Sequence, residues 1–151
     1  MSLHVAEIEW SRGDQPFLDQ TYSRAHAWRF DGGMEVRASS APTSVPVPMS
    51  DPTAIDPEEA LAAAVASCHM LFFLALAAKA GFIVDHYADH AEALLETDDR
   101  GRKSVTRVTL KPRIDWAGDP PAPEALRQLQ DQAHRLCYIA NSIRGEVLVE
   151  G

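Results

Sequence analysis

An α+β fold is predicted for this chain, with antiparallel strands around a long central helix and a second helix near the C-terminus. Three observations carry it. Several short segments bounded by turn residues alternate apolar with polar positions, as half-buried strands do. One apolar run, Pro57 to Ala80, opens with helix-start signals and is followed by Gly81, a fitting C-cap. A later segment repeats its apolar residues at three- and four-residue intervals, the period of an amphipathic helix. With 151 residues, 46% of them hydrophobic, the chain can bury one core, so a single domain over 1–151 is expected.

Residues 4 to 10 (His4 to Trp10) alternate in polarity and lead into Ser11-Arg12-Gly13-Asp14, which supplies turn chemistry; a first strand is expected there. From Tyr22 to Ala38, Trp28-Arg29-Phe30 and Met34-Glu35-Val36 flank Asp31-Gly32-Gly33, a hairpin whose turn tolerates positive φ. Pro42, Pro46, Pro48 and Pro52 each remove a donor, so 41–52 reads as an extended connection and not a central strand. At Asp56-Pro57-Glu58-Glu59, an Asp N-cap, a Pro at the first helical position and a Glu that can close a capping box coincide. The helix that follows, to Ala80, is apolar nearly all round, so it is expected to be central and enclosed. Val84 to Glu96 and Ser104 to Trp116 read as two strands joined by Thr97 to Gly101. After Pro120, Pro121 and Pro123 a second helix is expected through Asn141, with Leu126, Leu129, Ala133, Leu136, Cys137 and Ala140 on one face. Residues 144–150 alternate as a last short strand.

Fourteen Lys and Arg against 22 Asp and Glu give a net charge of −8, so the positive field that nucleic acid or an anionic membrane requires is missing. The apolar stretch from Ala60 to Ala80 is interrupted by Ser67, Cys68, His69 and Lys79 and is preceded by acidic residues, the pattern of a buried helix and not a bilayer span. Met1-Ser2-Leu3-His4 has neither a cationic start nor an apolar stretch, so no secretory signal is expected and the expected compartment is a reducing cytoplasm.

The candidates for chemistry are few. Cys68 and Cys137 are the two cysteines, each on or beside the apolar face of an expected helix and without metal-type spacing. By position alone both read as small buried hydrophobes. His4, His26, His86, His90 and His134 have no ligand-like spacing with a third donor, so neither a metal nor another cofactor is expected. His69 is expected to border the pocket beside Cys68, and Trp28, Phe72 and Phe73 are candidates for an apolar wall.

The run Asp56-Pro57-Glu58-Glu59-Ala60-Leu61-Ala62-Ala63-Ala64-Val65-Ala66-Ser67-Cys68 resembles the helix start and Ala-rich run to a cysteine of the osmotically inducible protein C and organic hydroperoxide resistance (OsmC/Ohr) family, with the family's ten-residue Glu-to-Cys interval. Cys137-Tyr138-Ile139-Ala140-Asn141-Ser142-Ile143, leading into a final strand, is similar to its second cysteine segment. The resemblance covers the chain from about Tyr22 onward. It implies an intertwined homodimer with sites between subunits and a thiol peroxidase that reduces organic hydroperoxides. Cys68 would be the peroxidatic thiolate, Cys137 the resolving thiol that closes a disulfide, and an external dithiol the reductant. A non-catalytic protein of the same fold that binds an apolar ligand in the interface cleft is the alternative, and an acyl-thioester hydrolase is a third reading.

A thiol's ordinary pKa is about 8.5, so a cation must hold the thiolate and an acid can fix that cation. The family uses an arginine and a glutamate. Glu58 corresponds to the glutamate; ten helical residues place it about 15 Å along the axis from Cys68, so the resemblance implies that it serves a second subunit's cysteine. For the arginine, one branch of the family has it about ten residues before the helix, where Pro46 to Ser50 holds no base. The other has it near the first hairpin, where Arg24, Arg29 and Arg37 stand. Arg24 is preferred, because Arg24, His26 and Trp28 are expected to share one strand face, and Arg29 is the alternative.

Overall fold

The computed structural model describes residues 1–150, and the chain divides into two compact units, Met1–Ala60 and the residues from Leu61 onward. In the first unit, strands β1 (Ala6–Glu9), β2 (His26–Phe30) and β3 (Glu35–Ala38) form an antiparallel sheet in that order. The expected hairpin is β2–β3: Trp28 stands opposite Val36, Arg29 opposite Glu35, and Gly33 has φ +87°, which a residue with a Cβ seldom adopts. The proline-rich stretch is not extended as expected. Its prolines seed consecutive turns, in which Ser44 N–H donates to the Ala41 carbonyl and Met49 N–H to that of Pro46.

Helix α1 (Pro57–Lys79) starts where the sequence expects it. Glu59 N–H donates to Asp56 Oδ1 at 2.8 Å and Asp56 N–H donates to Glu59 Oε2 at 3.1 Å, a closed capping box. At the other end Gly81, at φ +87°, lets Phe82 N–H reach the Ala77 carbonyl.

The second unit holds most of α1 together with β4 (Ile83–Asp89), β5 (Glu92–Thr97), β6 (Lys103–Leu110), β7 (Pro112–Ala117), α2 (Pro123–Leu136), a 3₁₀ turn (Ala140–Ser142) and β8 (Glu146–Val149). The two long strands expected at 84–96 and 104–116 are four shorter ones. Asp89 ends β4 and its Oδ1 accepts from Lys111 N–H at 2.7 Å, so the long hairpin breaks at the same level on both arms. Its outer half is β5–β6, which joins β8, and its base is β4–β7, a separate two-stranded sheet. β8 lies parallel to β6 while the other strand pairs are antiparallel. A Cβ on Gly145, just before β8, would meet the Val105 carbonyl oxygen at 2.5 Å, so only glycine allows this approach.

The core has two parts. Phe73 and Ala77 of α1 meet Leu129 and Ala133 of α2, with Tyr87 and Trp116 of the two-stranded sheet packed against them. Val65 of α1 meets Val108 and Leu110 of β6, with Val147 and Ile139 around them. The enclosed helix expected from its composition is not what the chain builds. The buried residues Ala62, Val65, His69, Phe73 and Ala77 lie three or four positions apart along one stripe. Ala64, Ser67, Leu71 and Ala75 form an exposed stripe, Leu71 being 61% exposed. By length and composition this helix could also cross a membrane.

The second helix also departs from expectation. It ends at Leu136, and Cys137 is its C-cap, with extended backbone (φ −63°, ψ 110°) and an N–H bonded to the Ala133 and His134 carbonyls. The apolar period runs on past the helix because Ile139, which leads into the 3₁₀ turn, packs against the other part of the core, with Val65 and Val108.

Candidate active site

Cys68 and Cys137 come together in the second unit as free thiols. Cys68 is half-buried on α1 and lines an open apolar pocket of about 480 Å³ with Leu71, Phe72, Tyr138 and Ile139. Tyr138, 71% exposed, stands edge-on to Phe72 with ring centroids 5.0 Å apart, so the two rings form one wall. Cys137 is fully buried behind them. Its thiol points at the Val65 carbonyl oxygen (3.9 Å), and its sulfur accepts the Ala140 N–H at 3.3 Å. Burial pushes the Cys137 thiol up, the Ala140 N–H donated to its sulfur offsets part of this, and the neighbouring Cys68 side chain adds a smaller upward push.

Of the expected apolar wall, Phe72 belongs to this pocket, Phe73 is core, and Trp28 lies on β2, where its Nε1 donates to His26 Nε2 at 3.0 Å. His69 does not border the pocket. It is 1% exposed and points the other way, its Nε2 lying 2.7 Å from Gln130 Oε1. Consecutive helical residues diverge by about 100°, so a cysteine facing the pocket sends its neighbour into the core. Tyr138 and Leu71, missed as pocket residues, had a signal: one follows Cys137 and the other lies one turn after Cys68.

The other expected residues meet in the first unit. Arg24 and Glu58, both half-buried, line a cleft of about 510 Å³ with His26, Trp10, Phe17 and Tyr22. Because Glu59 closes the capping box, the Glu58 carboxylate is not engaged there. Arg24 precedes β2 instead of lying on it, so the three-residue row on one strand reduces to His26 and Trp28. Its Nη1 donates to the Gln20 carbonyl at 2.7 Å and to that of Tyr22, and its guanidinium sits over the Tyr22 ring, 3.7 Å from the centroid. Tyr22 in turn stacks on Phe17 at 4.8 Å and meets Trp10 edge-on at 5.4 Å. Arg29, the alternative, is held on the sheet surface by Glu9 and Glu35, whose hydrogen bonds and charges raise its pKa. A larger cavity, about 810 Å³, lies among charged residues at the β5–β6 turn and contains neither cysteine. Among the described residues no cluster of three His, Cys, Asp or Glu could hold a metal ion.

A solved structure of an OsmC-like protein of unknown function from Vibrio cholerae O1 biovar eltor is 45% identical to this chain; the match covers 99% of both, with a TM-score of 0.97. An organic hydroperoxide resistance protein OsmC from Legionella pneumophila has a TM-score of 0.68 at 19% identity, over 99% of this chain and 95% of its own. An organic hydroperoxide resistance protein from Elizabethkingia anophelis has 0.70 at 17% identity, over 98% and 94%. At these identities the last two share the fold. No curated protein matches. The family described as OsmC-like protein matches residues 50–150, a span that takes in α1, both cysteines and every strand from β4 to β8, and the chain belongs to that OsmC/Ohr family.

Proposed function

We propose that this protein is a thiol-dependent peroxidase that reduces organic hydroperoxides through Cys68 and Cys137. The observation that carries the reading is the pairing of two free thiols at an apolar pocket, Cys68 lining it and Cys137 buried beside it. The Cys68 thiolate attacks the terminal peroxide oxygen, the O–O bond breaks, and the alkoxide leaves as an alcohol after taking a proton. Cys68 is then a sulfenic acid. The Cys137 sulfur attacks the Cys68 sulfur, the S–O bond breaks, and hydroxide leaves as water with the Cys137 proton. An external dithiol reduces the resulting disulfide, so no further cofactor is needed, and a reducing cytoplasm is the compartment that keeps it supplied. The apolar walls favour a peroxide with an apolar body.

The thiolate also needs a cation. In our reading the protein is a homodimer in which the cleft of Arg24 and Glu58 in one subunit serves Cys68 of the other, Glu58 fixing the guanidinium and Arg24 holding the thiolate. Cys68→Ser is expected to abolish consumption of organic hydroperoxide. Cys137→Ser is expected to allow one oxidation and then accumulate over-oxidised Cys68, read by mass spectrometry. Full turnover by Cys68→Ser would remove the peroxidase reading. Absence of turnover by the wild type with several peroxides and dithiol reductants would leave the apolar-ligand-binding alternative.

A further inference from the structure

The two elements that carry the cysteines are tied by a buried polar bond. His69, directly after Cys68 on α1, is 1% exposed, and Gln130 on α2 is 7% exposed. Histidine Nε2 lies 2.7 Å from the amide oxygen, which can only accept, so the ring donates. Gln130 stands seven residues before Cys137, about two helical turns, and Gln130, Ala133 and Cys137 share the buried side of their segment. On α1, Val65 and His69 are one turn apart. The helices thus meet at two polar points: the Cys137 thiol on the Val65 carbonyl, and His69 on Gln130. Beyond the second point, away from Cys137, the contact is apolar packing of Phe73 with Leu129 and Ala133, which has no directionality.

A buried polar pair adds little net stability over an apolar pair of the same shape, but its donor and acceptor accept one register and penalise others. Register matters here because a disulfide closes only when its Cα atoms lie within about 4.4–6.8 Å of each other and the Cβ atoms converge. We propose that the His69–Gln130 hydrogen bond is a positioning strut that seats α2 on α1 so that Cys137 can close on Cys68. The proposal rests on the dithiol reading. Neither side chain touches a reacting sulfur through any hydrogen bond in the structure, so both are positioning residues. The step they serve is balanced: a sulfenic acid on Cys68 and the thiol of Cys137 become a disulfide and one water.

The test follows two events separately in fully reduced protein given one equivalent of cumene hydroperoxide. Sulfenic acid on Cys68 is trapped with dimedone, and disulfide closure is followed by rapid quench. In Gln130→Leu the first event is expected to stay within about twofold of wild type, while closure slows about tenfold, as expected when a reacting group is misplaced by a fraction of an ångström. The disulfide potential, measured by equilibration with glutathione, is expected to rise by about 30 mV, the equivalent of that tenfold for a two-electron couple. Gln130→Glu keeps the acceptor and is expected to restore closure to within about threefold. If Gln130→Leu fails to fold, the double variant His69→Leu/Gln130→Leu, which removes donor and acceptor of the pair together, carries the same measurements and expectations. Wild-type closure with an unchanged potential in the leucine variants would overturn the strut. The potential needs no peroxide. A wild type that ignores peroxide therefore refutes the peroxidase reading, while the potential of Gln130→Leu still decides the strut.

Discussion

Replacing Leu71 with alanine distinguishes a helix face left to solvent from one that a second chain covers. Leu71 is 61% exposed and lines the Cys68 pocket on the stripe of Ala64, Ser67 and Ala75. In a lone chain its truncation removes little that is out of water, and a surface change of this kind shifts stability by no more than about 0.5 kcal/mol. In the proposed homodimer the exposed part is covered. Full burial of a leucine side chain is worth about 1.5–3 kcal/mol, so three fifths of it contributes roughly 1–2 kcal/mol per chain and about 2–4 kcal/mol per symmetric dimer. At 1.4 kcal/mol per tenfold, the dimer dissociation constant is expected to rise by roughly 30- to 700-fold. Sedimentation velocity over a dilution series reads this directly. Phe73→Ala is the control: Phe73 is fully buried within the chain, so the cost, about 3–5 kcal/mol by analogy with other core truncations, is present whether or not chains associate. A wild type that sediments as a monomer, or a Leu71→Ala dimer with unchanged dissociation, would refute the covering of this face.

Arg24 bonds to two backbone carbonyls and stacks on Tyr22, all neutral groups, whereas Arg29 is engaged by two carboxylates. Arg24→Ala is therefore expected to slow the reaction of Cys68 with iodoacetamide at neutral pH, and Arg29→Ala to leave the rate unchanged; the reverse pattern would hand the role to Arg29. The reduced protein is also expected to lose stability as pH rises above about 8.5, the ordinary thiol value. Burial raises the Cys137 thiol, so the native state keeps a proton that the unfolded chain has released, and this contribution is complete below the unfolded pKa and lost above it. Urea midpoints from pH 7.5 to 10 should fall less steeply in Cys137→Ala, and identical slopes would show that the buried thiol is not the cause.

Much of the fold was legible because its signals are local. The Asp56-Pro57-Glu58-Glu59 start is read from residues that bond to one another within one turn, and the hairpin from a turn whose glycines free the backbone. The ten-residue interval to Cys68 and the second cysteine segment pointed to the family in which the chain is placed.

The chain alone thus determined where the long helix starts and stops, the order of strands and helices, the pairing of β2 with β3 and the identity of two cysteines worth attention, because each depends on hydrogen bonds or steric limits within a few residues. Only the tertiary structure decided the rest. Residues 84–96 read as one strand, and their division between two sheets depends on tertiary pairing: β4 with β7, and β5 with β6 in the sheet that β8 joins. Cys137 continues the helical period, yet the 3₁₀ turn packing Ile139 against Val65 and Val108 takes it out of the helix. The placing of His69 against Gln130, of Arg24 with Glu58 in one cleft, and of Leu71 on an exposed stripe follows from which face of each element is covered. That depends on contacts between residues distant in sequence, whose competing arrangements have the same local pattern.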